Sequence, residues 1–289
     1  MFRYVLAPAL LAASLATGAC GDENSDGATG AFGSSGTPVT VRFAAEVGGT
    51  PFSCGTTYEG LGTRDSSFTP TDLRFFVQDL RLITNANEEV PVTFISDGKW
   101  QTDDVVLLDF EDGTNGCDVG NPDLNPEVRG AVTTDGPYGG VRFRLGVPFA
   151  RNHADPATAP PPLNISAMWW SWNAGYKFIR LDGATENLAG WRFHLGSTMC
   201  EGDSVGNVSA CANPNRSDIE LTGFDPTEGT VVFDLATLLA GADLEVNVMN
   251  TAEGCLADAN DTDCQPLFDS LGLAFGDGEA AAQTVFSSR

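Results

Sequence analysis

From Val39 onward, apolar and polar positions alternate with a period of two. Val39, Val41, Phe43 and Ala45 fall on one face of an extended chain, with polar or small partners between them. Leu73, Phe75 and Val77 repeat the pattern, and Leu80 and Leu82 resume it after a slip at Gln78-Asp79, which predicts a bulge. Further strands are predicted over Val90–Ile95, Val105–Phe110, Val141–Val147, Tyr176–Leu181, Gly190–Leu195, Ile219–Phe224, Thr230–Phe233 and Leu244–Met249, separated by Gly, Pro, Asn and Asp clusters. Only Leu235–Ala240 and Pro266–Leu271 predict helices, both short. Many short strands joined by turn-rich, often long loops predict an all-β domain, an antiparallel β-sandwich with a barrel as the alternative.

The N-terminus breaks this pattern. Arg3 precedes an apolar run, Val5 to Ala16, that is too short to span a bilayer. Thr17-Gly18-Ala19 then leads into Cys20, small residues before a cysteine, as in a bacterial lipoprotein signal; Thr17 stands where Leu is usual. Ordinary secretion with cleavage nearby is the alternative. The expected organisation is a signal peptide over 1–19, a Gly- and Ser-rich tether over 20–37 starting at a lipidated Cys20, and one domain over 38–289. The protein is expected to be exported, in the periplasm or at the outer membrane, and held to a membrane by lipid alone.

Seven cysteines leave six once Cys20 is set aside: Cys54, Cys117, Cys200, Cys211, Cys255 and Cys264. In an exported protein these predict three disulfides. Close spacing favours Cys200–Cys211 and Cys255–Cys264, leaving Cys54–Cys117, one of fifteen formal pairings. No CxxC pair is present, which argues against a zinc ribbon. The formal net charge of -24 repels nucleic acid and anionic membranes and otherwise serves solubility.

The chain has two histidines, His153 and His194, and they flank Met168-Trp169-Trp170-Ser171-Trp172. His153 sits in a proline-rich loop, Asn152 to Leu163, which cannot be a central strand. On an extended segment Trp170 and Trp172 share a face and Trp169 points away. His194 lies opposite the Trp191, Phe193 and Leu195 stripe. Two imidazoles are too few for a closed structural zinc site but suit copper, with Met168 and Met199 as conceivable soft supplements. The plain alternatives are local hydrogen bonding for the histidines, core packing for the methionines, and packing or sugar stacking for the tryptophans.

Gly202-Asp203-Ser204-Val205-Gly206 fits a nucleophile elbow, but it lies in a polar loop with no histidine after it. Asp22-x-Asn24-x-Asp26-Gly27 opens like a calcium loop, yet Gly33 stands where a bidentate Glu is needed, and Asp258 to Asp263 lacks the glycine turn. No phosphate-binding glycine loop, CxxCH or HExxH is present.

Longer strings carry more. They are Phe52-Ser53-Cys54-Gly55, Leu73 to Leu82, Gly146-Val147-Pro148-Phe149, Asn152-His153-Ala154-Asp155-Pro156, Met168 to Trp172 with Gly175-Tyr176-Lys177-Phe178, Phe193-His194-Leu195-Gly196-Ser197-Thr198 before Cys200, and Pro214-Asn215-Arg216 after Cys211. In this order they resemble the MbnP-like family, the four-Cys proteins of the metallo-mystery pair, over nearly all of the chain after the tether. Met199 stands where the family pattern has Gly, and a further Trp stands beside Trp170.

The resemblance implies a periplasmic or outer-membrane-associated copper-binding β-sandwich. It implies a di-haem, MauG-like partner that oxidises a tryptophan of this protein to kynurenine at the copper site. Carried over, His153 and His194 are the ligands, and the modified residue is Trp172 or Trp170, with Trp172 preferred and with Trp169 and Met168 beside them. Cys54, Cys117, Cys200 and Cys211 are the four cysteines. The chain is then the substrate of an oxidation, not an enzyme. The rival reading is a metal-free carbohydrate- or surface-binding lipoprotein that uses Trp170 and Trp172 as a stacking platform. A copper or tryptophan-radical enzyme is a third, disfavoured by the lack of an acid/base pair.

Overall fold

A computed structural model describes residues 36–117, 120–203 and 207–289. The signal peptide, Cys20, almost all of the tether, the Asp22 loop and Ser204 to Gly206 of the serine motif lie outside the described residues. Among the described residues no helix is long and apolar enough to cross a membrane.

The fold is the all-β sandwich that the periodicity predicts. One sheet orders Phe286–Ser288, Thr230–Asp234, Thr37–Val47, Glu127–Val132 and Thr93–Phe94. The other orders Asp218–Thr222, Tyr138–Leu145, Ser66–Thr84, Ile179–Ala184, Trp191–Leu195 and Gly254–Cys255. Pairing is antiparallel except where Thr37–Val47 meets Thr230–Asp234 and where Trp191–Leu195 meets Gly254–Cys255. The helices are short, Leu235–Leu239 and Gln265–Ser270 as expected, with a further turn at Phe149–Asn152.

Phenylalanines at alternate positions join the sheets. Phe75 of the larger sheet stacks on Phe233 of the smaller at 5.2 Å and meets Phe286 edge-on at 5.8 Å. Phe143 meets Phe43 at 5.5 Å and Phe286 at 5.3 Å. Each of these rings is almost wholly buried, so the set contributes both apolar area and edge-to-face attraction.

The Gln78-Asp79 slip is a bulge. Asp79 has φ 48°, and the register against Tyr138–Leu145 shifts between Gln78 and Arg81. Leu244–Met249, by contrast, is not a strand. The Asp243 carboxylate accepts the Glu245 and Val246 amides at 3.0 and 3.2 Å, and Asp263 accepts that of Val248 at 2.8 Å. Side-chain carboxylates thus take the donors a ladder needs. The Tyr176–Leu181 run also divides: Gly175–Tyr176 turns back onto Trp169–Ser171, and only Ile179–Ala184 enters the large sheet.

The pattern gave no sign of Glu127–Val132 or of the hairpin Thr198–Gly202 with Val208–Asn213. Gly130 interrupts the first, and it is required there: a Cβ would lie 2.4 Å from Val92 Cγ1 and 2.7 Å from the Thr93 carbonyl. The three disulfides are Cys54–Cys117, Cys200–Cys211 and Cys255–Cys264, the pairing that the spacing favoured.

The face of the large sheet turned away from the phenylalanines carries charge. Arg74, Arg180 and His194 are cross-strand neighbours, as are Asp72 and Asp182. Arg74 pairs with Asp72, while Arg180 reaches Asp72 at 3.1 Å and Asp182 at 2.6 Å. Asp109, opposite Arg74, is fully buried with Oδ2 unpartnered. Burial pushes its carboxyl up to about 7, against the pull of the Glu111 amide and the Arg74 charge.

Two outcomes are expected. Phe75→Ala should cost about 3–5 kcal/mol, read by denaturant unfolding. Because Asp109 binds its proton more tightly folded than unfolded, its contribution is full below about pH 4 and is lost as pH rises through about 7. The Tm of Asp109→Asn should therefore fall less over that window than that of the wild type.

Candidate metal centre

The excursion between Tyr138–Leu145 and Ile179–Ala184 carries His153 and the tryptophans, and its Trp170 meets His194 of the large sheet. Pro148 opens the Phe149–Asn152 turn, and His153 caps its C-terminal end. The His153 Nδ1 lies 3.0 Å from the Trp172 carbonyl. A carbonyl only accepts, so Nδ1 carries the proton and Nε2 keeps its lone pair. That lone pair faces the Asn152 amide nitrogen at 3.2 Å and Cys211 Sγ at 3.7 Å. Burial lowers the His153 pKa; the Trp172 hydrogen bond opposes this, and the Arg216 charge adds to it.

His194 is set by the opposite nitrogen. Its Nε2 donates to Asp182 Oδ1 at 2.5 Å, leaving the Nδ1 lone pair uncommitted. The residue is 6% exposed. Burial lowers its pKa against the Asp182 carboxylate. Burial alone would raise the Asp182 carboxyl, but the His194 hydrogen bond and the Arg180 guanidinium hold it well below the ordinary range. The pair is therefore a neutral imidazole donating to a carboxylate, the arrangement that commonly orients a metal-binding histidine. Burial and Arg180 lower Lys177, nearby, to about 8, and its ammonium donates to the Ala167 carbonyl at 2.8 Å.

The tryptophan segment runs between the two imidazoles. The Trp170 ring lies 6.3 Å from that of His194. Trp172 holds His153 through its carbonyl, and its ring meets Trp169 edge-on at 5.6 Å. The Trp169 Nε1 is buried without a partner. The Trp172 ring thus meets Trp169, the residue that alternation sets on the opposite face. The strand ends at Ser171, and Trp172 enters the turn to Gly175, so the alternation that puts both on one face stops between them. Met168 is fully buried in the core, and Met199 is 67% exposed.

No hydrogen bond or ring contact joins His153 to His194 among the described residues. The group of His153, Cys200 and Cys211 does lie close: one ligand atom from each falls within 4.8 Å of the others. The two cysteines are bonded to each other, so in this state neither is a thiolate donor.

Two partners were not anticipated. Asn152 is fully buried, and its Oδ1 accepts the Tyr176 amide at 3.1 Å, tying the His153 turn to the tryptophan hairpin. Gly175 makes that approach possible: its φ is +76°, and a Cβ would lie 2.3 Å from the Asn152 carbonyl oxygen. Asp182 carried a signal in the sequence, since Arg180 and Asp182 alternate with Ile179 and Leu181 on a face that also holds His194 once the strands pair.

The comparisons agree with this architecture. No curated protein sequence matches the chain. A solved structure, MbnP from Methylosinus trichosporium, superposes with a TM-score of 0.77 at 31% sequence identity, covering 87% of this chain and 98% of that one. The family model for MbnP matches residues 36–257. With the fold, the order of the motifs and the family match all in agreement, the chain belongs to the MbnP family.

Proposed function

We propose that this protein binds copper through His153, His194 and a donor from an oxidised tryptophan, Trp172 in preference to Trp170. The observation that carries the reading is the pair of tautomers. Each imidazole has one nitrogen committed to an acceptor, His153 Nδ1 to a carbonyl and His194 Nε2 to a carboxylate, which leaves the lone pair on the other nitrogen; that of His194 is uncommitted, and that of His153 accepts from the Asn152 side-chain amide at 3.2 Å, which a metal would displace. Lowered pKa values keep both rings neutral at ordinary pH, the form that ligates. The metal would supply a redox-active or transferable cation, and the protein is a binding protein, not a catalyst.

Oxidation of the tryptophan to kynurenine opens the indole: two oxygen atoms come from dioxygen or peroxide as the oxidant, water then hydrolyses the N-formyl group, which leaves as formate, and an aniline nitrogen and a ketone are exposed as donors. A MauG-like di-haem enzyme is the partner proposed for this step. The contact between Trp169 and Trp172 supports electron withdrawal through adjacent rings. The protein is further proposed to be exported and tethered by lipid at Cys20.

The double replacement His153→Ala with His194→Ala should abolish stoichiometric copper uptake in equilibrium dialysis; normal uptake would defeat the assignment. Asp182→Asn keeps the shape but removes the charge that orients His194, and should weaken copper binding by roughly 10–100-fold. Protons compete for these nitrogens only as pH approaches their lowered folded pKa values. Copper affinity should therefore persist below about pH 6.5, where ordinary imidazole sites begin to fail. A loss that starts above that pH would contradict it.

A further inference from the structure

The Cys200–Cys211 disulfide differs from the other two in its surroundings. Cys54, Cys117, Cys255 and Cys264 are at most 3% exposed. Cys200 and Cys211 are half-buried, directly opposite each other on the two-stranded hairpin Thr198–Gly202 with Val208–Asn213, outside both large sheets. A reductant that reaches one disulfide in the folded protein should therefore reach this one first. The bond also lies against a metal-ligand nitrogen: Cys211 Sγ is 3.7 Å from His153 Nε2, the nitrogen that carries the lone pair.

We propose that the Cys200–Cys211 disulfide is a redox gate on copper binding, and that when a dithiol reduces it, the two thiolates and His153 Nε2 form a Cys2His site for Cu(I). The exchange balances. The external dithiol loses two electrons and two protons and becomes a disulfide; the Cys200–Cys211 bond breaks and takes up both as two thiols. On binding Cu(I) the thiols release their protons to solvent. Three soft or borderline donors, all within 4.8 Å of one another, suit Cu(I). The resulting charge, two thiolates against one monovalent ion, is net negative. The Arg216 guanidinium, whose field already acts on His153 and whose Nη2 is buried without a partner, offsets it.

The inference rests on the proposed copper site only in that both use His153. In the oxidised protein His153 serves the histidine and tryptophan ligands; in the reduced protein it changes partners. His194 has no part in the reduced site, which separates the two claims.

The test uses the full chain carrying His194→Ala, titrated with Cu(I) against a colorimetric chelator before and after limited dithiothreitol treatment, with excess reductant removed. Peptide mapping identifies the freed thiols. The expected result is free thiols at Cys200 and Cys211 alone, a near-ultraviolet thiolate-to-Cu(I) charge-transfer band, and Cu(I) binding tighter by about tenfold or more. Alkylating the two thiols after reduction should remove both effects without depending on the folding of a new variant. Adding His153→Ala should keep the band and weaken the binding. Reduction of a different disulfide, or free thiols at Cys200 and Cys211 with no gain in Cu(I) binding, would overturn the proposal. If the gain appears while the oxidised wild type binds no copper, the histidine and tryptophan reading alone fails.

Discussion

The site depends on one carboxylate. Asp182 accepts from His194 at 2.5 Å and from Arg180 at 2.6 Å, and Arg180 also reaches Asp72 at 3.1 Å. These groups are largely buried on one face of three adjacent strands, so none of their charges can be dropped singly at low cost. Removing one partner of a buried pair costs about 3–5 kcal/mol, because the other charge is left unpaired. The ladder therefore fixes the register of Ser66–Thr84, Ile179–Ala184 and Trp191–Leu195 from the polar side, while Phe75, Leu181 and Phe193 fix it from the apolar side. A slip of one residue would put arginines among the phenylalanines.

The same constraint makes His194 a ligand candidate. A histidine on an exposed strand would choose its tautomer by solvent. Here the carboxylate chooses it, and the Trp170 ring lies beside it. The His153 tautomer is set by backbone instead, through the Trp172 carbonyl, and its Nε2 accepts from the side chain of the buried Asn152. The two ligand candidates are prepared by unrelated local means, and the Trp169–Ser171 segment and the turn after it are what they have in common.

Much of this was legible in the sequence because it is local. Period-two alternation found Thr37–Val47, Ser66–Thr84 and Trp191–Leu195, and a two-residue slip found the bulge at Asp79. Short loop spacing found Cys200–Cys211 and Cys255–Cys264, and with them the third disulfide. What was not legible depends on partners distant in the chain. The link from Asn152 to Tyr176 requires the folded loop, and the closeness of Cys211 to His153 spans 58 positions. Two departures were local: the Asp243 carboxylate takes the amides of the Leu244 run, and the strand ends at Ser171, so that Trp172 begins a turn. In both, a polar group or a turn ended an alternation that composition alone would continue.

The central claim is that His153, through Nε2, and His194, through Nδ1, both ligate one copper ion. X-ray absorption at the copper edge of the copper-loaded, disulfide-intact protein addresses it directly. The account predicts multiple scattering from two imidazoles and no sulfur in the first shell. A spectrum that shows one imidazole or none, or sulfur ligation with Cys200–Cys211 still bonded, would contradict it.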